Sequence, residues 1–218
     1  SRKLGFGAQR TMRLAQQLYE GVDFGEGAVG LITYMRTDSV NLAAEAVNEI
    51  RQVVAGMYGE KALPEAARAY KTKAKNAQEA HEAVRPTSAA VTPERLAGKI
   101  DNDLHRLYSL IWKRTVASQM AQAVYDTVAV DLIPAASSDK RTAVLRANGS
   151  TLVEPGYLAV YIEGTDDSQD EDGDRILPAM NVGDVLQLLE VRTDQHFTEP
   201  PPRYSEASLV KALEEYGI

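Results

Sequence analysis

Apolar residues recur with helical spacing through the front of the chain and with strand-like spacing through the back. From Ala8 to Tyr19, Ala8, Met12, Ala15 and Tyr19 fall near one face, with Arg10, Arg13, Gln16 and Gln17 largely elsewhere, which predicts a helix ended by Glu20-Gly21. Gly21 to Gly30 holds four glycines and reads as a mobile loop. Leu31 and Ile32 then read as a short strand entry. Beyond Ser39 or Asn41, either of which suits a helix cap, Leu42, Ala46, Val47, Ile50, Val53, Val54 and Met57 mark a core helix running to the Gly59 region.

If Gln78 to Arg85 is helical, Gln78, His81 and Arg85 share a face, and Pro86 ends the helix at Arg85. Thr92-Pro93 has the form of a cap followed by proline at the first helical position, and Asp101 looks like a second cap. Leu104, Leu107, Tyr108, Ile111, Trp112 and Val116 form a strong apolar stripe. Trp112 reads as core and His105 as a surface residue.

From Tyr125 onward the period changes. Val124 to Ile133, Thr142 to Ala147, Leu152-Val153, Tyr157 to Ile162 and Val185 to Arg192 read as strands, with Asn148-Gly149 as a hairpin turn. Glu199 to Pro202 is a stiff proline linker, and Ser205 caps a last helix carrying Leu209, Ala212, Leu213 and Tyr216. The expected class is mixed α and β, multidomain and α+β-like: a helical domain over residues 1–121, a β-rich segment over 122–200, and the start of a further helical segment over 201–218.

Composition adds bounds. At 218 residues, 44% hydrophobic and 25% charged, the chain is long enough for one large domain or two small ones. No apolar run approaches the ~18 residues of a membrane span, and the amino end does not resemble a signal peptide. Without a cysteine, disulfides and thiolate metal sites are excluded. A cytoplasmic location is expected. The net charge of -7 argues against nucleic acid until it is divided: residues 1–121 carry 17 Lys plus Arg against 13 Asp plus Glu (+4), and residues 122–218 carry 7 against 18 (-11). Binding to phosphate follows local basic patches, so the front half is the candidate nucleic-acid surface. Arg2, Lys3, Arg10 and Arg13 form one cluster there, and Lys71, Lys73 and Lys75 alternate in another; a solvated face explains the first at least as well, and a run like the second is more often just solvated. The acidic run Asp166, Asp167, Asp170, Glu171, Asp172 and Asp174 fails the calcium-loop pattern. With Gly173 at position six, position one is Ser168 and position twelve is Ala179 instead of Glu.

The densest chemistry lies in Leu31-Ile32-Thr33-Tyr34-Met35-Arg36-Thr37-Asp38-Ser39. Kept extended, Tyr34, Arg36 and Asp38 point the same way, with neighbours about 7 Å apart. A guanidinium is a permanently charged fork for phosphate oxygens, whereas a free phenol with pKa near 10 is only ~0.1% ionised at neutral pH. The pair suggests covalent phosphoryl chemistry, in which the phosphate is neutralised while the phenol loses its proton. An ordinary strand end with exposed polar residues has the same spacing.

The run Gly30 to Ser39 resembles the active-site tyrosine motif of the type IA DNA topoisomerases. Three further runs resemble the same family in the right order: Gln78-Glu79-Ala80-His81-Glu82-Ala83-Val84-Arg85-Pro86-Thr87, then Leu107 to Trp112, then His196-Phe197-Thr198 through Ser205 to Val210. The resemblance covers nearly the whole chain, and implies that it is an internal piece containing part of a β-rich arch that closes a ring around DNA. It implies Tyr34 as nucleophile toward a single strand of negatively supercoiled DNA, Arg36 and His81 at the scissile phosphate, Asp38 orienting one of them, and Arg85 as a secondary phosphate contact. Arg10 and Arg13 stand as backbone contacts. The magnesium of such enzymes and the acid-base partners of the tyrosine belong to an amino-terminal domain that this chain lacks, so the remaining domains of the polypeptide are implied partners. A non-catalytic single-stranded nucleic-acid binding module and a purely structural arch are the competing readings.

Overall fold

The computed structural model describes residues 3–25, 27–37, 39–70, 82–134, 144–162, 176–201 and 203–216. It divides into two compact units, one comprising Ser1–Val124 with Val153–Gln169 and the other Tyr125–Leu152 with Asp170–Ile218. The fold is mixed α and β.

The first unit is built on three long helices: α1 (Ala8–Glu20), α2 (Ala44–Tyr58) and α4 (Asn102–Ser118), with one short turn, α3 (Pro93–Leu96). Helices α1, α2 and α3 all pack on α4. The apolar stripe predicted for α4 is the reason: Leu104, Leu107, Tyr108, Trp112 and Val116 are buried, and Thr115 joins them. Asp101 caps this helix, accepting from the Asp103 and Leu104 amides as its sequence position predicts. Trp112 is 2% exposed and donates its indole N–H to the Ala89 carbonyl, so it is core. His105, expected at the surface, is half-buried, with Nε2 2.9 Å from the Pro93 carbonyl oxygen.

Helix α1 ends at Gly21, at φ +135°, a conformation that costs glycine least. Its buried residues are Leu14, Ala15 and Leu18, whereas Met12 and Tyr19 are exposed. Two apolar stripes compete on this helix, and packing on α4 selects the one the spacing did not favour. The glycine-rich stretch after it is a small hairpin instead of a loose loop: β1 (Val22–Asp23) pairs antiparallel with β2 (Ala28–Val29), and Asp23 Oδ1 accepts from the Gly25 and Gly27 amides to form the turn. Helix α2 buries Ala46, Ile50 and Val54 and stops at Gly59, as expected, but its amino end is not capped by Ser39 or Asn41.

The chain leaves the first unit along β3 (Val124–Leu132) and returns along β4 (Leu145–Glu154), which together form a two-stranded sheet. Asn148-Gly149, expected as a hairpin turn, lies inside β4. A type I′ turn needs positive φ at both central residues, and neither residue has it. Tyr157 to Ile162, expected as a strand, instead begins in a 3-10 turn over Gly156–Ala159, because Pro155 is helical and Gly156 sits at φ +48°. In the second unit, residues 185–192 join neither sheet; their alternating pattern lacks a strand edge to pair with among the described residues. Helix α5 (Glu206–Tyr216) follows Ser205, whose hydroxyl accepts from the Ser208 amide, and Leu209 and Tyr216 of its apolar face are exposed. The acidic run at 166–174 and Lys71, Lys73 and Lys75 lie outside the described residues.

Candidate active site

The Tyr34 segment is held by the chain before it and by a stretch more than fifty residues later. Leu31 and Ile32 are buried in the core, the Leu31 amide donates to the Leu18 carbonyl at the end of α1, and Gly30 lies so close to α1 that a Cβ there would meet the Tyr19 carbonyl oxygen at 2.7 Å. Residues 85–87 run antiparallel to 31–33. Ile32 bridges Pro86, the Thr33 amide donates to Arg85 O at 2.8 Å, and the Thr87 amide donates to Leu31 O at 3.0 Å. The Thr33 hydroxyl fills the gap in this ladder, donating to Ala83 O at 2.9 Å and accepting from the Arg85 amide at 3.0 Å.

Beyond this anchor the chain carries Tyr34 outward. Met35 packs on the core, while Tyr34, 51% exposed, and Arg36 lie on the solvent side. The Tyr34 ring meets Tyr19 edge-on, with centroids 5.4 Å apart and planes at 61°. An edge-to-face pair of this kind favours one orientation of the ring.

Downstream, Ser39 is buried and its hydroxyl accepts from the Asn41 amide at 3.2 Å. The stretch 82–87 then meets the chain a second time. Ala83 N–H donates to Asn41 O at 2.8 Å, and Glu82 Oε1 accepts from the Ala43 amide at 2.9 Å, adding a distant carboxylate at the amino end of α2, where Glu45 lies in the first turn but Ala43 offers no side-chain cap. Burial works against ionisation of Glu82, yet the hydrogen bond from Arg85, the Ala43 amide and the Arg85 charge outweigh it and hold the carboxyl below its ordinary value.

The expected basic contacts are placed differently from one another. Arg85 is 14% exposed at its side chain and forks onto Glu82, with Nε to Oε1 at 2.7 Å and Nη2 to Oε2 at 3.1 Å, while Nη1 donates to Pro86 O at 2.8 Å. These bonds anchor the loop. Residues 82–86 carry no helix, with a bend at Val84 and a bridge at Pro86, so the helix suggested for Gln78 to Arg85 does not reach Arg85; Pro86 and the pairing with 31–33 both oppose it. Arg10 pairs with Asp103 and lies 4.7 Å over the Phe6 ring, which Arg106 also covers at 5.0 Å. Arg13 is exposed on α1. His81 and Asp38 lie outside the described residues. The spacing of the motif gave no sign of Thr33 and Glu82, whose bonds cross 39 to 52 residues of chain.

A family model for DNA topoisomerases matches residues 1–218. The chain belongs to the type IA DNA topoisomerase family. It is 58% identical over 221 residues to DNA topoisomerase 1 of Xylella fastidiosa (strain Temecula1), covering 100% of this chain and 26% of that protein. DNA topoisomerase 1 of Rickettsia felis is 50% identical over 218 residues, with 100% of this chain and 27% of the relative covered. Among solved structures, full-length topoisomerase I from Thermotoga maritima superposes with a TM-score of 0.69 at 30% identity, over 99% of this chain and 32% of that one. This topoisomerase chain spans about a quarter of the length of the curated relatives it matches.

Proposed function

We propose that this chain supplies the nucleophile of a type IA topoisomerase that relaxes negatively supercoiled DNA. The Tyr34 oxygen attacks the phosphorus of a phosphodiester in a single strand; the Tyr34 O–P bond forms, the P–O3′ bond breaks, and the phenolic proton ends on the 3′ oxygen. The 5′-phosphate stays on the protein as a tyrosyl ester. Another strand passes through the gap, and the 3′-hydroxyl then reverses the step, so no nucleotide is consumed. The observation that carries this reading is the presentation of Tyr34: a half-exposed phenol on a hydrogen-bonded ladder, its ring braced by Tyr19, with Arg36 outward two residues on. Arg36 neutralises the scissile phosphate, His81 contacts it or a neighbouring group, and Asp38 orients His81 or Arg36.

Among the described residues no cluster of three or more His, Cys, Asp or Glu side chains is placed to hold a metal ion. In this reading magnesium and the acid-base partners of the tyrosine come from the rest of the polypeptide. Among the described residues no helix is long and apolar enough to cross a membrane, and a cytoplasmic location accords with that reading.

The test is a denaturant-resistant protein–DNA adduct formed by a full-length topoisomerase carrying this stretch, with magnesium and a single-stranded oligonucleotide. Tyr34→Phe keeps the edge contact to Tyr19 and removes only the hydroxyl, and it is expected to abolish the adduct. Persistence of the adduct overturns the assignment. Strand binding without any adduct in the parent protein favours the non-catalytic binding module instead. The chain by itself is expected not to relax supercoiled DNA, since each missing acid-base or metal contribution is worth ~10²-fold or more.

A further inference from the structure

The loop that carries Tyr34 and Arg36 is bracketed by one short segment. Residues 82–87 bond to Leu31 and Thr33 on its amino side and to Asn41 and Ala43 on its carboxyl side. The two sides are not equally secure. Leu31 and Ile32 are buried in the core, so apolar packing fixes the first side whatever happens to its hydrogen bonds. On the second side Ser39 is buried and Leu42 packs partly on the core, but Asn41 and Ala43 are exposed, and the bonds that tie this side to residues 82–87 are those of the Ala83 amide and Glu82. Glu82 Oε1 accepts from the Ala43 amide and from Arg85 Nε together, so one carboxylate oxygen joins the amino end of α2 to the strand that pairs with Thr33. Arg85 is in turn fixed by Oε2 and by the Pro86 carbonyl, which leaves Glu82 little rotational freedom.

We infer that Glu82 is a positioning residue for the tyrosine: it locks the carboxyl side of the 34–41 loop to the 82–87 segment, fixing Tyr34 and Arg36 for attack without touching the DNA. The inference rests on Tyr34 being the nucleophile. Its physical basis is the steep dependence of a bimolecular displacement on alignment, where a shift of about 1 Å at the reacting atom costs up to ~10²-fold in rate. Ile50 and Val54, which seat α2 on the core, lie turns away from Ala43, so loss of Glu82 frees the loop without unpacking the helix.

The experiment compares parent, Glu82→Ala, Glu82→Gln and Tyr34→Phe in a full-length topoisomerase carrying this stretch. It measures single-strand affinity, the rate of covalent adduct formation at saturating oligonucleotide, and hydrogen exchange at the Ala43 and Ala83 amides without DNA. Glu82→Ala is expected to lower the adduct rate about ten- to hundred-fold, to leave affinity within about two-fold, and to speed exchange at both amides. Glu82→Gln keeps an acceptor for the Ala43 amide and is expected to recover part of the rate. An adduct rate within about two-fold of the parent in Glu82→Ala overturns the positioning role even if exchange rises, and unchanged exchange overturns the bracket itself. Affinity that falls in step with rate also overturns it, because Glu82 would then act on binding. An adduct that survives in Tyr34→Phe overturns the tyrosine assignment instead, and the exchange data still judge the bracket.

Discussion

Gln119 is 0% exposed at the carboxyl end of α4, where its amide serves as a strand neighbour for Arg68, the side-chain oxygen accepting from the Arg68 amide at 3.1 Å and the side-chain nitrogen donating to the Arg68 carbonyl at 3.0 Å. Gln119→Leu keeps the volume and removes both partners. A buried backbone group left without a partner costs ~1–3 kcal/mol, so two cost at most ~6. Arg68 is only half-buried, which lets water recover part of this, and the leucine side chain returns roughly 1 kcal/mol of apolar burial. The net is about 2 kcal/mol, equivalent to a fall in melting temperature of ~4–8 °C for a chain of this size. Trp112, the only tryptophan, lies buried on the same helix, so its fluorescence during urea unfolding reports on the affected unit. Gln119→Glu offers a carboxylate to the Arg68 carbonyl and is expected to be worse than leucine at neutral pH, improving as the pH falls and the buried acid takes up a proton. A leucine variant as stable as the parent would refute the reasoning, since it would mean the Arg68 backbone is satisfied without Gln119.

Two further outcomes follow from other contacts. The folded state lowers the Glu82 pKa, so its ion pair stabilises the fold fully above the unfolded carboxyl value and ceases to do so as pH falls through the folded value; the urea-stability gap between parent and Glu82→Gln is expected to be widest near neutrality and to close in acid, and a gap independent of pH would contradict the ion pair. Gly156→Ala combines a positive φ with a Cβ 2.4 Å from the Gln122 carbonyl carbon and is expected to cost at least ~2 kcal/mol by urea unfolding, more than Gly98→Ala, whose φ is +72° but whose Cβ meets nothing within 4 Å; equal costs would show that the close approach is relieved by a backbone shift.

The sequence by itself determined whatever depends on neighbours within a turn or two. The extents of α1 and α2, the Asp101 cap and buried stripe of α4, and the motif around Tyr34 were legible because periodicity, caps and terminating glycines act locally. Only the tertiary structure decided which local options were taken. Leu14 and Leu18 won over Met12 and Tyr19 because α4 offers one surface to bury against, which left Tyr19 free to brace Tyr34. Asn148-Gly149 stayed in a strand because β3 supplied a partner for an extended backbone. Arg85 looked like a phosphate contact and became the anchor of Glu82, and Glu82 became the cap that no residue beside α2 supplies. Those bonds join residues tens of positions apart, and a local pattern records that a side chain can donate or accept but not which distant partner the folded chain will bring to it.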